Sequence, residues 1–260
     1  MIESTEISKQ VIWRCPVCNC SFIGSGINAG NRCTACDFTV TQKSGIPVMG
    51  SFDETSGQTG MSRILSDFFS YPLLSHLRTF LEQPAQIDLK PYIARRQVLD
   101  VGCGPSYRQK HLSFEPSEAA EFVGIDSFIP FLANVRKENP ETNLTFAQAS
   151  LDKLPFPDRS FDTVLALFVL HHVPGNPFKL LGELARVTRS HLIIFDHVRS
   201  ERGLARCVQD LYWRNVDGGC RYLTSRQWRD CFSRAGMSIL LENRSGPFGQ
   251  VTRMILKPMS

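Results

Sequence analysis

Two pairs of cysteines near the amino terminus carry the sharpest chemical pattern in this chain. Cys15-Pro-Val-Cys18 and Cys33-Thr-Ala-Cys36 are Cys-x-x-Cys knuckles with fourteen residues between them. Each knuckle presents two thiolates to one metal ion, and two knuckles complete a tetrahedral sulfur shell. Four protein ligands leave no open position, so the expected role is structural: a zinc ion held by Cys15, Cys18, Cys33 and Cys36. The spacing is slightly short for a zinc ribbon, and Cys20 is a less well placed substitute ligand. A redox Cys-x-x-Cys would want a surrounding βαβ pattern, which these residues lack.

A second pattern begins at Val98-Leu99-Asp100-Val101-Gly102-Cys103-Gly104-Pro105-Ser106. An apolar strand runs into a Gly-x-Gly turn, where a backbone without Cβ lets a ligand approach closely. A helix starting soon afterwards would offer free N–H groups to a carboxylate. A dinucleotide site wants Gly-x-Gly-x-x-Gly. The sixth position here is Tyr107, so the pyrophosphate fingerprint is excluded. Phe122-Val-Gly-Ile-Asp126 ends a second strand in a carboxylate 26 residues after Asp100. A carboxylate there can accept two hydrogen bonds from a ribose diol. Taken singly, the turn also reads as a tight strand–helix junction, and Asp126 as a helix N-cap.

These residues need a scaffold, and the periodicity supplies one. Gln97–Val101, Glu121–Ile125, Leu144–Ala147, Thr163–Phe168 and His191–Phe195 read as strands; Tyr107–Leu112, Ile129–Glu138 and Asn176–Thr188 read as helices between them. That alternation predicts βαβ units and a parallel sheet. Ser225–Ala235 then reads as a helix, capped by Thr224 or Ser225, and Ser238–Asn243 and Val251–Leu256 as two closing strands. The expected fold is α/β: a Rossmann-like, seven-stranded, mostly parallel sheet with an antiparallel edge hairpin, plus a small N-terminal zinc ribbon.

Three regions are expected. Residues 1–50 form the ribbon-like module of short strands and tight turns. Residues 51–95 hold a polar linker, from Gly50 to Gly60, and a helical lid, with Ile64, Leu65, Phe68 and Phe69 on one helix and Leu73, Leu74, Leu77 and Leu81 on another, separated by Pro72. Residues 96–260 form the main domain, with a cap insertion at about 198–222.

Composition limits the partners. The chain of 260 residues is 42% hydrophobic with a formal net charge of +4, which permits an anionic partner without demanding one. No apolar run approaches the roughly 20 residues of a membrane span. Met1-Ile-Glu-Ser-Thr-Glu lacks a basic stretch followed by an apolar run, so no secretory signal is expected. Nine cysteines, most of them scattered, suit reduced thiols and a cytoplasmic location better than a disulfide framework. Cys207, Cys220 and Cys231 read as small apolar residues, and Cys103 as one within the glycine turn.

The sequence then resembles a known family. Leu154-Pro-Phe-Pro-Asp-Arg-Ser-Phe-Asp162-Thr-Val-Leu-Ala-Leu-Phe-Val-Leu-His-His-Val173 is similar to the segment joining the third strand to the fourth in class I methyltransferases related to the ubiquinone and menaquinone C-methylating enzymes (methyltransferase type 11). With Asp100-Val-Gly-Cys-Gly104 as motif I, the match runs from about Val98 to Thr188 in the right order. The third glycine of motif I is Ser106 here. The resemblance implies S-adenosylmethionine as cofactor, contacted by Asp100, Gly102, Cys103 and Gly104 in the first loop. It implies further contacts from Asp126 and Ser127 after the second strand, Ser150 and Leu151 after the third, and Ala166 on the fourth. In the family an aspartate at the position of Ser150 meets the adenine amino group. Serine would make that contact neutral.

Methyl transfer from a sulfonium is an in-line displacement, so catalysis is largely positioning. A general base is needed only where the acceptor carries a proton that must leave. His171, His172 and the pair Asp196-His197 lie at expected strand ends, but no catalytic residue is assigned; Leu-His-His occurs in the family whatever the substrate. The insertion holds Arg202, Arg206, Tyr212, Trp213 and Arg214, a set suited to a planar or anionic substrate or equally to packing on the sheet. A small-molecule acceptor is the first expectation. The second is RNA, since a zinc ribbon followed by Gly45-Ile-Pro-Val48 also resembles the front of ribosomal-RNA guanine methyltransferases. Against it, Lys9, Arg14, Arg32 and Lys43 are set against Glu3, Glu6 and Asp37, a weak basic patch. The third is a non-catalytic binding protein of the same fold. The oligomeric state is open.

Overall fold

The computed structural model describes residues 11–23, 27–50, 87–104, 114–201, 203–213, 219–246 and 249–259. The two lid helices, nearly all of the linker, the helix expected over Tyr107–Leu112, and Pro105, Ser106, Tyr107, Arg202 and Arg214 lie outside the described residues. Among the described residues no helix is long and apolar enough to cross a membrane.

The chain runs through β1 (Thr41–Lys43), β2 (Ile46–Met49), α1 (Lys90–Ile93), β3 (Gln97–Val101), β4 (Glu121–Asp126), α2 (Ile129–Glu138), β5 (Leu144–Ala149) and β6 (Phe161–Leu167). It continues with α3 (Pro177–Val187), β7 (Thr188–His197), α4 (Leu204–Tyr212), α5 (Ser225–Arg234), β8 (Met237–Ser245) and β9 (Val251–Pro258). One sheet takes them in the order β1-β2-β5-β4-β3-β6-β7-β9-β8. β2, β5, β4, β3, β6 and β7 are mutually parallel, while β1 runs antiparallel to β2, and β9 to β7 and β8.

The seven strands expected from periodicity are β3 to β9. Two more join from residues 41–49. Ser44 and Gly45 both take positive φ, 53° and 74°, the two-residue turn that suits the twist of a hairpin. Its second strand then pairs with the edge of β5 through Val48 opposite Gln148 and Met49 opposite Ala149. Without it β5 would expose a row of unpaired backbone groups.

Apolar side chains alternate along the strands and so fill two layers. Leu99, Val101, Val123, Ile125, Val164 and Ile194 pack with α3 (Leu180, Leu181, Leu184) and α5 (Trp228, Phe232). Val98, Phe122, Leu165 and Ile193 pack on the opposite face with Leu132 and Val135 of α2. Each fully buried large side chain stabilises by roughly 1.5–3 kcal/mol. The helices start where local chemistry allows. Asn176 caps α3 by accepting from the Phe178 N–H at 2.9 Å, with Pro177 in the first turn. Thr224 and Gln227 form a reciprocal capping box at α5. β7 begins at Thr188, earlier than its apolar run suggests, because α3 feeds straight into it; the Thr188 hydroxyl donates to the Leu184 carbonyl at 2.6 Å.

Candidate functional site

Strand order reverses at β3. The chain builds outward from it through β4 and β5, then returns to place β6 and β7 on its other side. The carboxyl ends of β3 and β6 flank this switch point, the place where ligands bind in such sheets. Gly102 and Gly104 occupy that position with φ of 64° and 57°. A Cβ on Gly102 would fall 2.2 Å from Cγ2 of Val169, which leaves β6 and folds over the turn. Glycine is thus required at residue 102 both by conformation and by space.

The expected contact residues gather around this turn. Asp100 is buried at the end of β3. Cys103 is buried beside Gly124, and its N–H donates to the Ile125 carbonyl at 3.0 Å. The Asp126 carboxylate spans two elements, accepting from the Gly104 N–H at 3.0 Å and the Phe128 N–H at 2.9 Å. Its second bond closes a local turn just ahead of α2, whose N-cap is Phe128 and has no side-chain cap, so Asp126 is not the helix cap the sequence also allowed; its first ties the glycine turn to β4. Ser127 is exposed, and its carbonyl accepts from Gln148 Nε2 at 2.7 Å. Ser150 is half-buried just past β5 and donates its hydroxyl to the Asp152 carboxylate; that bond, aided by the Lys179 charge, holds Asp152 below the usual carboxylate range. Leu151 is buried in the apolar layer. Ala166 lies within β6 opposite Val101, with its side chain packed in the same layer. The expected contact residues that are described therefore lie along the carboxyl edge of the sheet, except Ala166, which is buried within β6.

The histidines separate by environment. His172 is exposed, while His171 and His197 are buried. His171 Nδ1 meets Oδ1 of the fully buried Asp196 at 2.6 Å. The same carboxylate accepts from the Leu170 N–H at 3.1 Å and the His197 N–H at 2.6 Å. Burial alone would raise the Asp196 pKa, but the His171 charge and hydrogen bond outweigh it and hold the carboxyl below its ordinary range. The ring of Tyr222 stacks on His171 at 5.5 Å, and Trp213 stacks on Tyr222 at 4.1 Å with 6° between planes. Cys220 and Arg221 donate backbone N–H groups to the His171 carbonyl at 2.9 and 3.1 Å. Periodicity gave no sign that Val169 covers Gly102 or that Tyr222 reaches His171. Both contacts join distant parts of the chain.

The four cysteines converge. Their sulfurs lie within 4.8 Å of one another, with Cys15 to Cys36 at 3.6 Å and Cys18 to Cys33 at 3.3 Å. A tetrahedral thiolate shell with metal–sulfur bonds of about 2.3 Å has sulfurs about 3.8 Å apart, so the set fits such an ion. Asn19 at φ 65° and the Asn19 N–H to Cys15 carbonyl bond at 2.9 Å shape the first knuckle. The Ala35 N–H donates to Cys33 Sγ at 3.4 Å. A backbone N–H of Cys20, then the Cys33 thiol, draws the Cys18 pKa down to about 6.

A doubly wound sheet with a glycine turn after its first main-domain strand and a carboxylate at the end of the next defines a Rossmann-like fold. Residues 99–195 match the model of the methyltransferase domain. The chain is 30% identical over 154 residues to demethylmenaquinone methyltransferase of Thermus thermophilus, covering 56% of this chain and 69% of that one. It is 30% identical over 113 residues to the methyltransferase YcgJ of Bacillus subtilis, covering 42% of this chain and 43% of that protein, so it spans less than half of that relative's length. The crystal structure of YcgJ shares the fold, with a TM-score of 0.54 at 18% identity over 66% of this chain and 96% of that one. The chain belongs to this methyltransferase family.

Proposed function

We propose that this chain transfers a methyl group from S-adenosylmethionine to a small-molecule acceptor. The observation that carries the reading is the rim at the strand reversal: the Gly102–Gly104 turn beside Asp126, with Ser150 beyond. S-adenosylmethionine brings an already activated methyl on a sulfonium, so the protein's part is placement. Gly102 and Gly104 would admit the cofactor against the backbone, Asp126 would take the ribose hydroxyls, and Ser150 with Leu151 would border the adenine. Asp100, Cys103, Ser127 and Ala166 complete the proposed set.

The acceptor side would be the carboxyl ends of β6 and β7, walled by Trp213, Tyr222 and His197. Stacked aromatic rings favour a flat partner of modest size. In this reading residues 96–260 carry the transfer, residues 51–95 the lid, and residues 1–50 a structural zinc site at Cys15, Cys18, Cys33 and Cys36, in a cytoplasmic protein.

Calorimetric titration with S-adenosylhomocysteine tests the cofactor half. We expect binding, and we expect Asp126→Asn to weaken it by about tenfold or more, the loss of a charged acceptor to a hydroxyl being worth roughly 1.5–3 kcal/mol. No binding to the unaltered chain sinks the reading. For the acceptor, labelled methyl from S-adenosylmethionine should enter quinone-like or phenolic compounds. Labelling of ribosomal RNA instead overturns the small-molecule reading.

A further inference from the structure

The segment Gln148–Pro157 runs from the end of β5 toward β6, which begins at Phe161, and includes Ser150 and Leu151. Two other parts of the chain hold it. From one side α3 grips its far half: the Leu154 N–H donates to Glu183 Oε2 at 2.9 Å, and Arg186 donates to the carbonyls of Leu154 and Phe156 at 3.1 and 2.7 Å. From the other side comes the cysteine region. Lys153 Nζ donates to the carbonyl of Val17, inside the first knuckle, at 2.5 Å. The Arg14 N–H, next to Cys15, donates to the Pro155 carbonyl at 2.8 Å. Trp13 packs on Phe156 with ring centroids 4.6 Å apart. Val48 and Met49 pair with Gln148 and Ala149 immediately before Ser150. Gln148 in turn holds the Ser127 carbonyl, next to Asp126.

We propose that the cysteine cluster is a positioning element of the cofactor cleft: its metal-bound shape sets Val17, Arg14 and Trp13, and through them the segment that carries Ser150 and Leu151. The inference rests on the methyltransferase reading for the cleft and on the four thiolates holding a metal. Its physical basis is leverage. Cys15 and Cys18 flank Val17, and Cys15 follows Arg14, so the shape of the first knuckle fixes where both contacts point. The knuckle turn is closed by backbone bonds of its own, from Cys15 to Cys20 and from Asn19 to Cys15, and the Ile23 N–H to Arg32 carbonyl and Thr34 N–H to Ser21 carbonyl bonds link the chain beside the two knuckles, so what the ion adds is the fixed spacing of the four sulfurs. A segment lining a binding cleft that loses one of its two supports pays an ordering cost when ligand binds.

The test compares the full-length zinc-loaded chain with the same chain stripped by a chelator. Amide hydrogen exchange is read in peptides covering Gln148–Lys153 and, as reference, Leu192–Phe195 in β7. S-adenosylhomocysteine affinity is measured on both forms. We expect exchange at Gln148–Lys153 to rise tenfold or more on stripping, with Leu192–Phe195 unchanged, and affinity to fall by about tenfold, within the usual range for coupling between two sites. Lys153→Ala, which touches no cysteine, should raise exchange in the same peptide while the metal stays bound. Unchanged exchange at Gln148–Lys153 in the stripped chain overturns the proposal. A rise at both peptides also overturns it, because the metal would then hold the whole fold. If the loaded chain fails to bind S-adenosylhomocysteine, the cofactor reading falls, while the exchange data still decide whether the cluster positions the segment.

Discussion

At the scale of single residues, two positions decide how the carboxyl edge is built. Asp196 is a carboxylate with no surface exposure and three donors: the Leu170 and His197 backbone N–H groups and the His171 ring. It joins the turn after β6 to the end of β7. Asn in its place would lose the charge that His171 pairs with and would point an NH2 group at one of these donors, leaving buried groups unmatched. We expect Asp196→Asn to lose about 3–5 kcal/mol in urea unfolding at pH 7. The folded pKa lies below the unfolded value near 3.9, so this stability is present above that pH and drains away as pH falls through the folded pKa. In the variant the acid limb should flatten. Gly102 is the second position. Gly102→Ala must hold an L-residue at φ 64° and displace Val169. The backbone alone costs about 1–2 kcal/mol, and the clash adds to it. A thermal melt that matches the unaltered chain would show that the turn can rearrange.

At the scale of elements, the main-domain helices and strands follow local rules closely. α2 spans Ile129–Glu138, the range its pattern of Ile129, Leu132 and Val135 indicates. α5 begins at its capping box, and Thr224→Ala should cost about 1 kcal/mol in chemical denaturation with little change elsewhere. A change below about 0.3 kcal/mol would mean that Gln227 or water replaces the cap. The ends of strands were harder to read. β7 and β6 each begin before their apolar runs, at Thr188 and Phe161. Sheet pairing extends a strand as far as a neighbour offers hydrogen bonds, and neighbours are set by tertiary structure.

At the scale of the whole molecule, the N-terminal region is continuous with the main sheet. β1 and β2 lengthen it to nine strands, and Val11, Trp13, Ile27 and Val40 share an apolar layer with β3, β4 and α3. The Val11 N–H donates to the Glu121 carboxylate at 2.8 Å, on the strand that ends in Asp126. Burial raises the Glu121 pKa despite that bond. A raised folded pKa means the associated stability is present in acid and lost as pH rises through that pKa, opposite in sign to Asp196. The cysteine cluster thus sits on a structure that reaches the cleft through several routes. This is why its metal content is expected to be felt at Gln148–Lys153.

The parts of the fold that depend on near neighbours can be read from the chain alone. Cys15, Cys18, Cys33 and Cys36 are legible because ligand spacing within a knuckle is a local constraint. The glycine turn and Asp126 are legible because strand, turn and carboxylate follow one another along the chain. The α/β alternation sets the doubly wound order, since right-handed crossovers leave few alternatives. Tertiary structure alone decided that β2 would cover the edge of β5, that Val169 would close over Gly102, and that Tyr222 would stack on His171 between Asp196 and Trp213. Each of these joins residues dozens of positions apart. No periodicity encodes such a contact. It is chosen by which surfaces remain unpaired once the local elements have formed.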